Sequence, residues 1–334
     1  MTASTRPQKK PSVELHNHLG SAVDPPILWS IAHRQGIKLP TKNYWEFEDM
    51  ITMRGKEKNK SLDEMHRRFF HWTELIQSSP EAIEESVKSV IGGGYRKCNI
   101  TTHELRFDPM RRNRGGERDL DHIIMSAIWG VDRAVLEYPQ VEAGIILMMH
   151  RFDSFKLNEI KIKKAIKYKH QGIVGVDVAG PNRKTFDMKK HASLFAMARR
   201  AGLGITVHTG EEAQLDEMRF VVREIKPDRI GHGVQCVKDK KLMREISEAS
   251  ITLEVCPTSN LKNSVMKNIV QTKSTLRTLL QNKIKFSICT DGPEMYQTNI
   301  YNEHEFLLKN KILSKVELDQ TVKWGMEASF IKQT

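Results

Sequence analysis

Eight short apolar runs, each closed by a turn or by the start of a helical pattern, divide this chain into repeating strand–helix units. They are Val13–His18, Thr101–Phe107, Val141–Met149, Ile173–Val178, Gly204–His208, Arg229–His232, Ile251–Val255 and Lys285–Cys289. The segments between them carry helical spacing, as with Met188, Leu194, Phe195, Met197 and Ala198, or Leu242, Met243 and Ile246. Parallel strands need a crossover of a dozen or more residues, most often a helix. Eight alternations in 334 residues therefore predict an α/β fold, a closed (β/α)8 TIM barrel, as one domain over 1–334. The open doubly wound sheet, built from the same units, would carry G-x-G-x-x-G after its first strand, and this chain does not. Gly92-Gly93-Gly94 reads as the stop of a helix that Ser79-Pro80 starts.

The one long interruption is a helical insertion after the first strand, residues 25–90. Within it Ser61-Leu62-Asp63-Glu64 has the pattern of a capping box, followed by Met65, Phe69, Trp72, Leu75 and Ile76 at helical spacing. Loops after barrel strands overhang the mouth of the barrel, so this segment is a candidate lid. Ordinary packing of an amphipathic helix on the barrel accounts for the same pattern.

Composition excludes several classes. No run of about 18 apolar residues is present, so no membrane span is expected. Met1 to Pro11 is polar and basic, without the apolar centre of a secretory signal, and a cytoplasmic location is expected. The four cysteines are scattered and form no C-x-x-C pair, which leaves buried thiols rather than a disulfide framework or a cysteine-ligated zinc. The 53 basic and 41 acidic residues give a net charge of +12, suited to an anionic partner. Many lysines fall on helix surfaces such as Lys156 to Lys169, where a solvated face explains them. No nucleic-acid motif accompanies the charge, so nucleic acid is not an expected partner.

The chemistry lies where the apolar runs end. Residues i and i+2 of a strand share a side, so His16 and His18 can both point toward the barrel axis. His208 ends the fifth run, and Asp291 follows the eighth. Imidazole and carboxylate ligands suit Zn²⁺, with Fe, Co and Mn also compatible. A metal lowers the pKa of its water from 15.7 to roughly 7–9, and hydrolysis then needs groups that move protons. Glu211, three residues after His208, is the candidate donor; Glu212 competes, and the spacing favours Glu211. His232, between Gly231 and Gly233, can orient or deprotonate the water. Singly, Glu211 would read as a surface carboxylate and His232 as a hydrogen-bonded core histidine.

The motifs also have an order. Val13-Glu14-Leu15-His16-Asn17-His18-Leu19 is followed by His103-Glu104-Leu105-Arg106, Val178-Ala179-Gly180, His208-Thr209-Gly210-Glu211, Arg229-Ile230-Gly231-His232-Gly233, Leu253-Glu254-Val255-Cys256-Pro257-Thr258-Ser259-Asn260 and Thr290-Asp291. From about residue 12 to 330 the chain resembles the adenosine deaminase family of metal-dependent hydrolases. The resemblance implies a (β/α)8 barrel and one zinc on His16, His18, His208 and Asp291. It implies that Glu211 protonates purine N1, that His232 and Asp291 handle the attacking hydroxide, and that Gly180 gives the purine ring a backbone contact. The implied reaction is addition at C6 and loss of ammonia.

Two positions depart from the family. Asp291-Gly292-Pro293 stands where members have Asp-Asp-Pro, and the missing carboxylate is the one that bonds purine N7. Such a hydrogen bond contributes about 0.5–1.5 kcal/mol. Gly20-Ser21 stands where an acidic residue is associated with the ribose 5′-hydroxyl. Its loss makes room for a 5′-phosphate, or for a substrate without that hydroxyl. His66, Arg67 and Arg68, and Arg111, Arg112 and Arg114, are basic segments suited to phosphate, and equally to a solvated surface. The leading expectation is a zinc hydrolase that deaminates a 6-aminopurine nucleoside such as adenosine. The alternatives are a nucleotide such as AMP or N6-methyl-AMP, a free base or other amino-heterocycle, and, in a different class, an inactive barrel acting as a binding protein.

Overall fold

In the computed structural model, residues 10–331 are described except 56, 60, 115–117, 213 and 214. The strands are β1 (Ser12–His18), β2 (Ile100–Phe107), β3 (Glu142–His150), β4 (Ile173–Ala179), β5 (Gly204–Thr209), β6 (Arg229–His232), β7 (Thr252–Val255) and β8 (Phe286–Ile288). All pair in parallel and in sequential order. Just past β8, Asp291 bridges to Asn17 of β1: its N–H donates to the His16 carbonyl and its carbonyl accepts from the His18 N–H, both at 2.8 Å. The sheet is thus a nearly closed (β/α)8 barrel, as the alternation of runs predicts.

The outward residues of the strands, among them Leu105, Ile145, Val176, Ile205, Ile230 and Leu253, pack beneath the surrounding helices in two large apolar clusters. Burying such a side chain stabilises the fold by about 1.5–3 kcal/mol. The interior is ionic instead: Glu14, Glu104, Arg106, Asp177, Arg229 and Glu254 are all 0% exposed. Removing charges from water is costly unless they are paired and hydrogen-bonded. The two arginines and their carboxylate partners are, while Glu14, in no ion pair among the described residues, is hydrogen-bonded and pushed up to about 8 by burial. Arg229 donates to Glu254 Oε1 at 2.7 Å and bonds Glu104, which also accepts from the Phe330 N–H at 2.6 Å. The Phe330 ring lies 3.6 Å from the Arg229 guanidinium, seated against Gly175 and Gly204, and closes the end of the barrel opposite the site.

Between β1 and β2 the chain forms helices Pro25–Arg34, Tyr44–Ile51, Leu62–Met65, His71–Ile76 and Pro80–Cys98, with a π-helical turn at His66–Phe70. Ser61 Oγ accepts from the Glu64 N–H, as the capping pattern predicts. The expected helix stop at Gly92-Gly93-Gly94 is not observed. The helix that Ser79 caps runs through all three glycines to Cys98 and ends at Asn99, whose φ is 52°. A side chain at 92 would meet Tyr138 at 2.8 Å, and one at 94 would meet Ile100 at 3.1 Å and His103 at 3.2 Å. These glycines serve close packing, which outweighs their poor helix propensity.

The four cysteines are buried, and none forms a disulfide among the described residues. Among the described residues, no helix is long and apolar enough to cross a membrane.

Candidate active site

The polar residues that end the strands converge at one rim of the barrel. The Nε2 atom of His18 lies 3.3 Å from that of His16 and 3.1 Å from that of His208. Asp291 Oδ1 is 3.5 Å from His18 Nε2 and 3.8 Å from His16 Nε2. Gly231 in β6 makes the space, since a methyl group there would lie 3.1 Å from both the His16 and His208 rings. His232 and Asp291 hold left-handed backbone, with φ of 60° and 67°, a conformation that costs residues other than glycine about 1–3 kcal/mol.

Buried carboxylates face the far side of two of these rings. His16 Nδ1 is 2.7 Å from Glu254 Oε2, and His208 Nδ1 is 2.8 Å from Asp177 Oδ2. Arg106 ties the two carboxylates together, donating to Asp177 Oδ2 and to Glu254 Oε2 at 2.8 Å each. The hydrogen bond to Glu254 keeps the His16 ring proton on Nδ1 and leaves its Nε2 lone pair pointing into the cluster, whereas Asp177 faces His208 Nδ1 outside hydrogen-bonding geometry. Burial, then the charge of Arg106, holds His16 well below the usual histidine range; burial, then His208, does the same for His18.

Nitrogen lone pairs about 3 Å apart repel one another unless a cation is shared between them. A tetrahedral zinc with bonds of about 2.0–2.1 Å to nitrogen would set its ligand atoms about 3.3 Å apart. The 3.1 and 3.3 Å separations match that spacing. Three imidazoles, one carboxylate and carboxylates behind two of the rings fit a divalent transition metal.

Beside the cluster stand the proton-handling candidates. His232 Nε2 is 3.7 Å from Glu211 Oε2 and 3.9 Å from Asp291 Oδ2. Burial, followed by the charges of Asp291 and Glu212, pushes the Glu211 carboxyl well above its ordinary value. Burial and His208 hold His232 well below the usual histidine range, and its Nδ1 lies 2.9 Å from the Asn260 amide. Ser259 Oγ donates to Asp291 Oδ2 at 2.6 Å.

Gly180, with φ of 102°, shares a cavity of ≈ 20 Å³ with His208, Glu211 and Arg151, and Leu62 of the insertion completes its wall. The two glycines that depart from the resemblance prove to be neighbours. A Cβ at Gly292 would sit 2.5 Å from Ser21 Oγ, and one at Gly20 would sit 2.9 Å from the Phe70 ring and 3.1 Å from Arg112 Nη2.

The structure thus brings together His16, His18, His208, Asp291, Glu211 and His232, and sets Gly180 on the same cavity as Glu211. The sequence reading gave no role to Arg106, Asp177, Glu254, Ser259 or Asn260. A usable signal was present in three of them: each is a charged residue inside a short apolar strand, at a position facing the barrel interior.

A barrel that gathers imidazoles and two buried carboxyl groups at the C-terminal ends of its strands is the scaffold of a metal-dependent hydrolase. Comparison with known proteins narrows that class. The family described as adenosine deaminase matches residues 11–334, and the chain belongs to it. The chain is 28% identical over 327 residues to an adenosine deaminase of Clostridium kluyveri, covering 96% of this chain and 89% of that one. It superposes on an adenine deaminase from Arthrobacter aurescens with a TM-score of 0.84 at 18% identity, covering 96% and 94% of the two chains. For the Arabidopsis N6-mAMP deaminase the TM-score is 0.81 at 22% identity, over 96% and 94%. The protein is a hydrolytic deaminase of a metal-dependent family.

Proposed function

We propose that this protein is a single-domain zinc enzyme that deaminates a 6-aminopurine nucleoside such as adenosine to its 6-oxo product. The observation that carries the reading is Glu211, a carboxyl whose affinity for its proton is raised by burial, set beside His232, Asp291 and the three-imidazole cluster. His16, His18, His208 and Asp291 would hold the zinc, which when bound would supply an acidified water. Glu211 gives its proton to the ring nitrogen next to C6. Asp291 Oδ2 and His232 Nε2 hold the water and receive its proton. The water oxygen adds to C6, the C6–N bond breaks, and the amino group leaves as ammonia with the protons held by these residues. The Gly180 backbone orients the ring. Residues 25–90 serve as the lid. Leu62 from this insertion forms part of the wall of the cavity at Glu211.

A second reading, a nucleotide such as AMP or N6-methyl-AMP, is favoured by the Arg112 guanidinium beside Gly20. It is also favoured by the similarity to the N6-mAMP deaminase of Arabidopsis.

The test is ammonia release from adenosine, AMP, N6-methyl-AMP and adenine by the zinc-loaded protein. Glu211→Gln is expected to keep its zinc and lose about 10²–10⁴-fold in kcat, the range for general acid catalysis. Retained turnover in that variant would overturn the assignment. Because the protonated carboxyl is the active form, kcat/KM of the parent is expected to fall as pH rises through the raised pKa of Glu211.

A further inference from the structure

Asn59 fastens the insertion between β1 and β2 beside the proton-handling residues. It is 3% exposed; its N–H donates to the Lys262 carbonyl at 2.8 Å, and its own carbonyl accepts from Ser264 Oγ at 3.3 Å. Its side-chain amide donates to Asn263 Oδ1 at 2.8 Å. Around this contact Lys262 Nζ donates to the Met53 carbonyl, and the Met53 N–H donates to the Met295 carbonyl, both at 2.8 Å. Met53, Leu62, Met65 and Phe69 pack there with Met295 and Tyr296 in an apolar cluster of their own.

Asn263 in turn faces both carboxyl groups of the site. Its Nδ2 donates to Tyr296 OH at 2.7 Å and to Ser259 Oγ at 3.3 Å, and its side chain hydrogen-bonds Glu211. Ser259 Oγ extends the chain by donating its own hydrogen to Asp291 Oδ2 at 2.6 Å. Ser259 and Tyr296 are 0% exposed and Asn263 is 8% exposed, so bulk water hardly competes for these bonds.

The partners of an asparagine amide decide which way it faces, because its oxygen only accepts and its nitrogen only donates. Asn59 offers Asn263 a donor. That fixes Oδ1 toward the insertion and turns the Nδ2 hydrogens toward Ser259, Tyr296 and Glu211. Turned over, the amide would present oxygen to these groups. The Ser259 hydrogen would then be drawn to Asn263 and away from Asp291.

We propose that Asn263 is a positioning residue for Glu211 and Asp291, and that Asn59 of the insertion sets the direction of its amide. On the deaminase reading above, on which this rests, the insertion therefore helps to align the proton donor and the carboxylate that holds the water, beyond covering the site.

The experiment compares Asn59→Leu, Asn263→Leu, their double variant and Asn59→Asp with the parent. It reads zinc affinity by competition with a chelator, and ammonia release from adenosine, AMP, N6-methyl-AMP and adenine. Each Leu variant is expected to lose about 10–100-fold in kcat with KM little changed, the size of effect that misplaced catalytic groups produce. Each should also bind zinc more weakly, because Asp291 loses its fixed donor. The double variant should be no worse than Asn263→Leu alone, since both residues act through one amide. Asn59→Asp is the sharpest arm. Its carboxylate can still hold Asn263, but only by accepting from Nδ2, which turns the amide over. Positioning predicts a kcat loss like that of Asn59→Leu, whereas a part in docking alone predicts parental kcat. The two variants at Asn59 keep the test decisive should Asn263→Leu fail to fold. Losses that multiply in the double variant, a change confined to KM, or parental kcat in Asn59→Asp would overturn the proposal. Should the zinc-loaded parent release no ammonia from any of the four compounds, the deaminase reading falls and zinc affinity decides: weaker binding in the variants supports the positioning of Asp291, and unchanged binding overturns it.

Discussion

Arg106 and Arg112 lie on one stretch of chain and are 0% and 2% exposed, yet their surroundings are opposite. Arg106 sends its two terminal nitrogens to Asp177, Glu254 and the Leu15 carbonyl; only its Nε lacks a partner. Burial works against its charge, and the two carboxylates more than reverse that, raising its pKa. For Arg112 burial wins over the carboxylates of Glu74 and Asp108, and the pKa is lowered. The same side chain therefore does two jobs. Beneath the metal cluster its charges are matched within the fold, which holds the histidines in fixed orientations. At Arg112 the match is partial, with Glu74 3.2 Å away and two guanidinium nitrogens outside hydrogen-bonding geometry.

The largest expected effect comes from breaking the matched side. Arg106→Met leaves Asp177 and Glu254 buried without that cation, and a loss of about 3–5 kcal/mol is expected. Zinc affinity should fall as well, because the carboxylates behind His16 and His208 lose their common anchor. Chemical denaturation and zinc content check both.

Gly292→Asp probes the boundary between the regions by forcing a side chain into Ser21, at a cost of about 1–3 kcal/mol in stability. Adding Ser21→Gly should recover part of it, a non-additivity visible in thermal unfolding of the double variant. Full additivity would mean that the contact at Ser21 is not what excludes a side chain there.

Arg183→Gln, which breaks a partly exposed pair with Asp63, should change stability by no more than about 0.5 kcal/mol. A large loss of stability from this change would mean that the arginines of the mouth hold the fold, and the contrast with Arg106 would fail.

Much of this was legible in the sequence. The eight strands were, because each is a short apolar run with helical spacing on either side. His16, His18, His208, Glu211, His232 and Asp291 were, because polar residues at strand ends share one rim in a parallel barrel. The network of Arg106, Asp177 and Glu254 was not, because it joins β2, β4 and β7, and spacing along a chain says nothing of which side chains meet across a barrel. Gly92 to Gly94 misled for a related reason: propensity argued for a stop, while Tyr138, Ile100 and His103, which require the small residues, lie elsewhere in the sequence. Arg112 read equally well as solvated surface, since burial is decided by Phe70 and Glu74 packing over it.

The seam between β8 and β1 carries one more consequence. Its closing hydrogen bonds are made by the backbones of His16, His18 and Asp291, the residues whose side chains form the cluster. Glu14 reinforces the join, accepting from the His16 N–H at 2.9 Å and the Thr290 N–H at 3.0 Å. A chain whose last strand has not yet docked therefore cannot present the four ligands in one place. Competence arrives only when the C-terminal part of the polypeptide reaches the N-terminal strand, so immature molecules have no hydrolytic centre to misuse.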